Sequence, residues 1–154
     1  MIHFLLIYTL ISFMAYWAFI YKKFGILPSI SDSYYKLSVK GRVLFTFFIW
    51  SVAFPIAIIG DSAILFAAGA ALAFVGAAGA FRDDLTEKVH VAGAIGGIVI
   101  GYIGIIVDLN DYMIPVLFIA SFIYLTLKRV KNKTWWIETA AFIGVIISLA
   151  ISRW

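Results

Sequence analysis

Six apolar stretches, at residues 2–21, 43–60, 63–81, 89–107, 112–127 and 135–152, alternate with short polar gaps along the chain. Each is long enough, or nearly so, to cross a bilayer as a helix. The alternation of apolar and polar residues that marks a transmembrane β-strand is not visible in them. Inside lipid, every backbone N–H and C=O must find its partner within the segment, which favours helices. The pattern predicts an all-α fold: a polytopic membrane bundle of six transmembrane helices arranged as three hairpins. Residues 1–154 form one integral membrane domain, with no stretch left over for a soluble one.

The polar gaps add orientation. Of the 12 Lys and Arg residues, eleven fall in alternate gaps. Lys22, Lys23, Lys36, Lys40 and Arg42 follow the first span, Arg82 and Lys88 the third, and Lys128, Arg129, Lys131 and Lys133 the fifth. Basic residues resist translocation, so these gaps are expected on the cytoplasmic side and both termini outside. The expected location is a bacterial inner (cytoplasmic) membrane. Apolar residues make up 64% of the chain and charged residues 13%, a balance that a soluble domain of this length could not bury. The net charge of +4 reads as topology signals and headgroup contacts, and no nucleic acid is expected as a partner. With no cysteine, disulfides and thiolate metal sites are excluded. The first span has no basic n-region and no small-x-small cleavage site, so it reads as a retained helix rather than a signal peptide.

The longest connection, residues 22–42, is too polar for a span and too apolar for a plain linker. Pro28 keeps Leu27 out of the helical region, and Ser29, Ser31 and Asp32 favour local turns and caps. A folded loop at the interface is expected there, with Tyr34 and Tyr35 at headgroup depth. Pro55 should kink the second span and free a carbonyl one turn earlier. Gly93, Gly97, Gly101 and Gly104 form a small-residue stripe, and Gly69, Ala73 and Ala77 form another. These predict close packing of the hairpin made by spans three and four. A homo-oligomer joined through such faces is the alternative.

Few polar groups lie near the spans. His90 heads the fourth span on the same face as Gly93 and Gly97, so its ring should point into the bundle. Glu138 lies about one turn inside the last span, in line with Ala141 and Val145. Charged groups inside a membrane are costly unless paired, so such a carboxylate is a functional candidate. It also reads as a headgroup-level residue near Lys131 and Lys133. Taken alone, His90 reads first as an interfacial ring bonded to a loop carbonyl, and Asp83 and Asp84 as a capping turn. The topology nonetheless brings Asp32, His90 and Glu138 to one membrane depth.

The same positions carry a family resemblance. Leu27-Pro28-Ser29-Ile30-Ser31-Asp32 resembles the Pro-x-Ile-Ser-Asp signature of the Frag/DRAM/Sfk family of six-span membrane proteins, which includes GPI-anchor lipid-remodelling members. Val89-His90-Val91-Ala92-Gly93-Ala94 resembles that family's Val-His-x-x-Gly-Ala, and Trp136-Ile137-Glu138 its Glu beside a Trp in the last span. This chain is shorter than the eukaryotic members. The family's first loop is placed on the luminal side, so charge here implies the inverse arrangement.

The resemblance and the polar cluster together imply a lipid-binding or lipid-handling protein, with membrane lipids as partners. Asp32, His90 and Glu138 are the catalytic candidates. Ser29, Ser31, Tyr34, Tyr35, Asp84 and Trp136 are the ligand-binding candidates. If chemistry occurs, His90 would act as acid or base, oriented by Glu138 or Asp32, and Ser31 would be the available nucleophile. That is the alternative of a membrane-embedded hydrolase or acyl-transfer enzyme. A metal-dependent version with His90, Glu138, Asp32 and Asp84 as ligands has little support from spacing, and neither a metal nor another cofactor is expected. A structural or regulatory membrane subunit is a further alternative. A channel or transporter fits poorly, because only hydroxyls such as Thr46, Ser51 and Ser121 lie near mid-membrane.

Overall fold

The computed structural model describes residues 1–79 and 84–153, with the side chains of residues 84 and 85 outside that description. The fold is all-α. Its helices are α1 (Ile2–Phe24), α2 (Ser33–Lys36), α3 (Val43–Ile59), α4 (Ala63–Ala77), α5 (Asp84–Leu109), α6 (Met113–Leu127) and α7 (Lys133–Arg153). A single 3-10 turn, Lys40–Arg42, leads into α3. Among the described residues, four helical stretches are long and apolar enough to cross a membrane: Ile2–Phe24, Lys40–Ile59, Thr86–Leu109 and Lys133–Arg153. α4 and α6 are apolar but have only 15 residues each. At 1.5 Å per residue they reach about 22 Å, less than the ~30 Å hydrocarbon core.

The helices close into a ring. α1 packs on α3, α3 on α4, α4 on α5, α5 on α7, and α7 back on α1. α6 lies outside the ring against α7, and most of its apolar side chains, such as Val116, Ile119 and Phe122, are exposed. Exposed apolar side chains also cover the outer faces of α1, α3 and α5. That distribution is costly in water and neutral in lipid.

Hydrogen bonds between connections fix the two ends of the bundle. At one end, Asn132 Nδ2 donates to the Ile26 carbonyl at 2.9 Å and the Trp135 N–H to the Pro28 carbonyl at 3.2 Å. At the other, Ser62 Oγ donates to Asp108 at 2.5 Å, Ser148 Oγ to Asp111 at 2.8 Å, and Arg153 to the Gly60 carbonyl at 3.0 Å. The basic connections after α1 and α6 therefore meet at the first end, as the charge pattern predicts. Asp61, Asp108, Asp111 and Arg153 belong to the second. Asp111 also caps α6, accepting from the Met113 and Ile114 N–H groups.

The expected helix boundaries shift in physically sensible ways. α1 runs beyond residue 21 to Phe24 and ends at Gly25, whose φ of 73° suits glycine. α4 stops at Ala77, and the expected continuation to 81 enters the residues outside the description. α5 begins at Asp84, ahead of the expected 89. Pro55 sits inside α3 and cannot donate to the Ser51 carbonyl. The buried Thr9 hydroxyl lies 3.5 Å from that carbonyl while donating to its own Leu5 carbonyl at 2.8 Å.

The hairpin of α4 and α5 packs closely, as expected, with the α5 glycine stripe in its seam, whereas Gly69 of the α4 stripe points elsewhere. The α5 glycines meet α4: a Cβ at Gly93 would touch Ala71 and Val75, one at Gly97 would touch Leu72, and one at Gly104 would touch Leu65. Gly69 instead faces Ala53 and Ala57 of α3. Trp50 Nε1 donates to the Ala73 carbonyl at 3.1 Å and Thr46 Oγ1 to the Gly76 carbonyl at 2.9 Å, which pins the same α4 face to α3. α4 thus turns Gly69 and the Ala73 and Gly76 carbonyls toward α3, and Leu65, Ala68, Ala71, Leu72 and Val75 toward the glycines of α5.

Candidate functional site

The connection between α1 and α3 does not simply lie on the interface. Leu27, Ile30 and Leu37 are buried in the core, and Ser31 and Ser33 are buried with them. The segment enters the end of the ring as a plug. Three apolar anchors spaced through a polar stretch explain why it folds inward, and the backbone groups they carry with them must then be satisfied. Ser33 Oγ donates to the Ile30 carbonyl at 2.6 Å, so its contact with Tyr16 Oη at 2.6 Å must be donated by the tyrosine. Ser29 and Asp32 bond reciprocally, Ser29 Oγ donating to Asp32 Oδ2 at 2.9 Å and the Asp32 N–H to Ser29 Oγ at 3.1 Å.

Helices on either side grip the plug. Glu138, on α7, accepts the Ile30 N–H at 2.5 Å, and the backbone of Ser31 lies near enough to act on the same carboxylate electrostatically. His90, on α5, is buried and places Nε2 3.0 Å from Ser31 Oγ. Its Nδ1 lies 3.0 Å from the Ala78 carbonyl at the end of α4. A carbonyl can only accept, so Nδ1 carries the hydrogen, and in the neutral ring Nε2 is left as an acceptor for the Ser31 hydroxyl. Phe45 stacks near the imidazole, with ring centroids 6.4 Å apart.

A narrow cavity of about 40 Å³ adjoins this cluster between α3, α4, α5 and α7. Ser31 and Glu138 are its polar lining residues, and Ile49, Leu72, Ala94 and Val145 are among its apolar ones. This space is far smaller than the ~150 Å³ cavity that admits benzene, and larger than the ~10–15 Å³ needed for one water. It suits water-sized guests or the end of one narrow chain.

The structure gathers Asp32, Ser29, Ser31, His90 and Glu138 around the plug, with Asp32 near enough to Glu138 to act on it electrostatically. Tyr34 and Tyr35 stand beside it, edge to face with each other at 5.2 Å and under the Arg42 guanidinium. Trp136 is elsewhere: it faces α6 in a surface groove with Leu117, Tyr124 and Ala140. Asp84 begins α5, and its side chain lies outside the described residues, as do Arg82 and Asp83. Among the described residues no three His, Asp or Glu groups converge as a metal site.

Sequence reasoning passed over Trp135, Ser33 and Tyr16. Trp135 is fully buried and anchors the plug through its backbone N–H, and Ser33 is fully buried beneath the Tyr16 hydroxyl. The signal for Trp135 was its register: it stands three and four residues before Glu138 and Thr139, on the inward face of α7. Comparison with protein-family models, with curated proteins and with solved structures finds no match for this chain.

Proposed function

We propose that this chain is a six-span lipid-handling membrane protein that holds an acyl lipid at the plugged end of its bundle. The observation that carries this reading is an apolar cavity among four helices whose polar lining is Ser31 and Glu138. The end of one acyl chain fits such a space where a ring system does not, and a hydroxyl and a carboxylate suit the ester or headgroup end of the lipid. At the same end, Lys22, Lys131 and Asn132 line a surface groove suited to an anionic headgroup. The resemblance of the Pro28–Asp32, His90 and Glu138 segments to the Frag/DRAM/Sfk pattern supports the same reading. The charge pattern puts this end in the cytoplasm and both termini outside.

The direct test is native mass spectrometry of the protein extracted from its membrane. Retained lipid is expected at about one per chain. Ala94→Val and Ala141→Val, which add methyl groups to the cavity wall, should each lower that occupancy at least fivefold while leaving the fold intact. Undiminished occupancy in both variants would remove the cavity from the reading.

The orientation is checked separately, and the absence of cysteine makes it simple. Single cysteines replacing Lys36 and Lys131 should react with impermeant maleimide only after the membrane is opened, while Asp61→Cys should react in intact cells. Labelling of positions 36 and 131 from opposite sides contradicts the six-span arrangement.

A second reading is favoured by the bonds that tie Ile26, Pro28, Ile30 and Ser31 to α5, to α7 and to Asn132 just before α7: the plug is a purely structural clasp. In that case His90→Ala and Glu138→Ala lower stability without changing lipid retained per folded chain.

A further inference from the structure

We propose that Ser31 and His90 form a nucleophile–base pair for acyl transfer, with a long-chain acyl ester as the substrate class. The inference rests on the lipid reading above and assigns it a reaction. Three arrangements carry it. Ser31 Oγ is 3.0 Å from His90 Nε2, within reach for proton transfer. The ring is oriented from its other nitrogen by the Ala78 carbonyl at 3.0 Å, which selects the tautomer able to accept from serine. Ser31 also lines the apolar cavity, so its residue stands where a chain's carbonyl end would arrive.

A hydroxyl serving only to pin a loop has no need of a base in the correct tautomer. Buried serines at helix ends ordinarily satisfy themselves on backbone carbonyls, as Ser33 does on Ile30. Ser31 is instead paired with the one histidine among the described residues that lies inside the bundle.

The chemistry balances without any oxidant, reductant or metal. Ser31 Oγ attacks the acyl carbonyl carbon and its proton passes to His90 Nε2. The bond from that carbon to the leaving alcohol breaks, and His90 returns the proton to the departing oxygen. An ester to Ser31 remains. Water or a second lipid alcohol then attacks that ester, giving its proton to His90, and Ser31 Oγ recovers a proton as it leaves. The negative oxygen formed in each step needs N–H donors, and the Ile30 and Ser31 backbones line the cavity where it would form. At rest the Ile30 N–H is given to the Glu138 carboxylate, which the substrate oxygen has to displace.

The test uses the full chain in lipid nanodiscs. A long-chain alkyl fluorophosphonate should add one adduct per chain, located at Ser31 by peptide mass spectrometry. Ser31→Ala should abolish it and His90→Gln should slow it at least tenfold. Because a variant could unseat the plug, a second measurement uses Ser31→Cys, which introduces the only thiol of the chain. Its alkylation by iodoacetamide should be at least tenfold slower when His90→Gln is added, with the unfolding midpoint of both variants unchanged. An adduct elsewhere, no adduct, or a thiol rate indifferent to His90 overturns the proposal. Lipid occupancy is measured on the same samples. Retained lipid with no adduct refutes the acyl-transfer pair alone, whereas loss of both refutes the lipid reading with it.

Discussion

Glu138→Leu is expected to destabilise the protein by about 2–3 kcal/mol, because it strands the Ile30 N–H, the donor to a charged acceptor, in the core. The carboxylate accepts the Ile30 N–H at 2.5 Å, and nothing else in the described structure accepts that donor. Bonds to a charged acceptor are stronger than neutral ones, and a buried donor left without a partner loses the full cost of its desolvation. Leucine is close to glutamate in volume, so packing changes little and the measured loss reports the polar term. Glu138→Gln keeps a carbonyl oxygen in place and should lose only about 1 kcal/mol. The measurement is the unfolding free energy in mixed micelles, by denaturant titration of the helical signal. Equal values for wild type and Glu138→Leu would mean that the plug is not held by this carboxylate.

That dependence explains how the site was partly legible beforehand. Charge placement brought the connections after α1 and α6 to one end, and the bonds Asn132–Ile26 and Trp135–Pro28 put them there. Helical register pointed His90 and Glu138 inward. What joins them is a run of backbone: Ile30 and Ser31 span the space between α5 and α7, giving an N–H to one and a hydroxyl to the other. Periodicity has nothing to say about a loop that enters a core. Its only trace was the spacing of Leu27, Ile30 and Leu37, three apolar residues that a surface loop would have no reason to carry.

The same limit applies to Trp135 and Trp136. Adjacent residues on a helix point about 100° apart, so one of the pair had to face inward and the other outward. Belt-forming tryptophans usually sit at the interface, and that preference directed attention to Trp136. The neighbours of α7 decide otherwise for Trp135, which is sealed between α1 and the plug and tilts against Trp17 with centroids 5.9 Å apart. Similarly, a glycine stripe announces close packing without saying which neighbour it meets. α4 lies between α3 and α5, so which of its faces meets the glycine stripe is assigned only by the ring.

Gly69 is the position where that assignment makes the sharpest difference. A Cβ there would lie 2.5 Å from the Ala53 carbonyl oxygen and 2.8 Å from the Ala57 Cβ. Both belong to the stretch of α3 that surrounds Pro55, where the helix already lacks one internal hydrogen bond. A backbone oxygen cannot rotate aside as a side chain does, so α3 and α4 must separate. The Trp50–Ala73 and Thr46–Gly76 bonds then lengthen together. Alanine favours a helix over glycine by roughly 1 kcal/mol, which offsets part of the strain. The net loss expected for Gly69→Ala is about 2–3 kcal/mol, and Gly69→Leu should fail to assemble. Gly96 provides the comparison, because a Cβ there meets nothing within 4 Å. Gly96→Ala should therefore leave stability unchanged or raise it by about 0.5 kcal/mol. Unfolding titrations of the two alanine variants side by side read the difference, which cancels any effect of the bilayer on glycine in general. If the variants behave alike, α4 does not approach α3 at Gly69, and the ring that positions Ser31, His90 and Glu138 is closed in some other way.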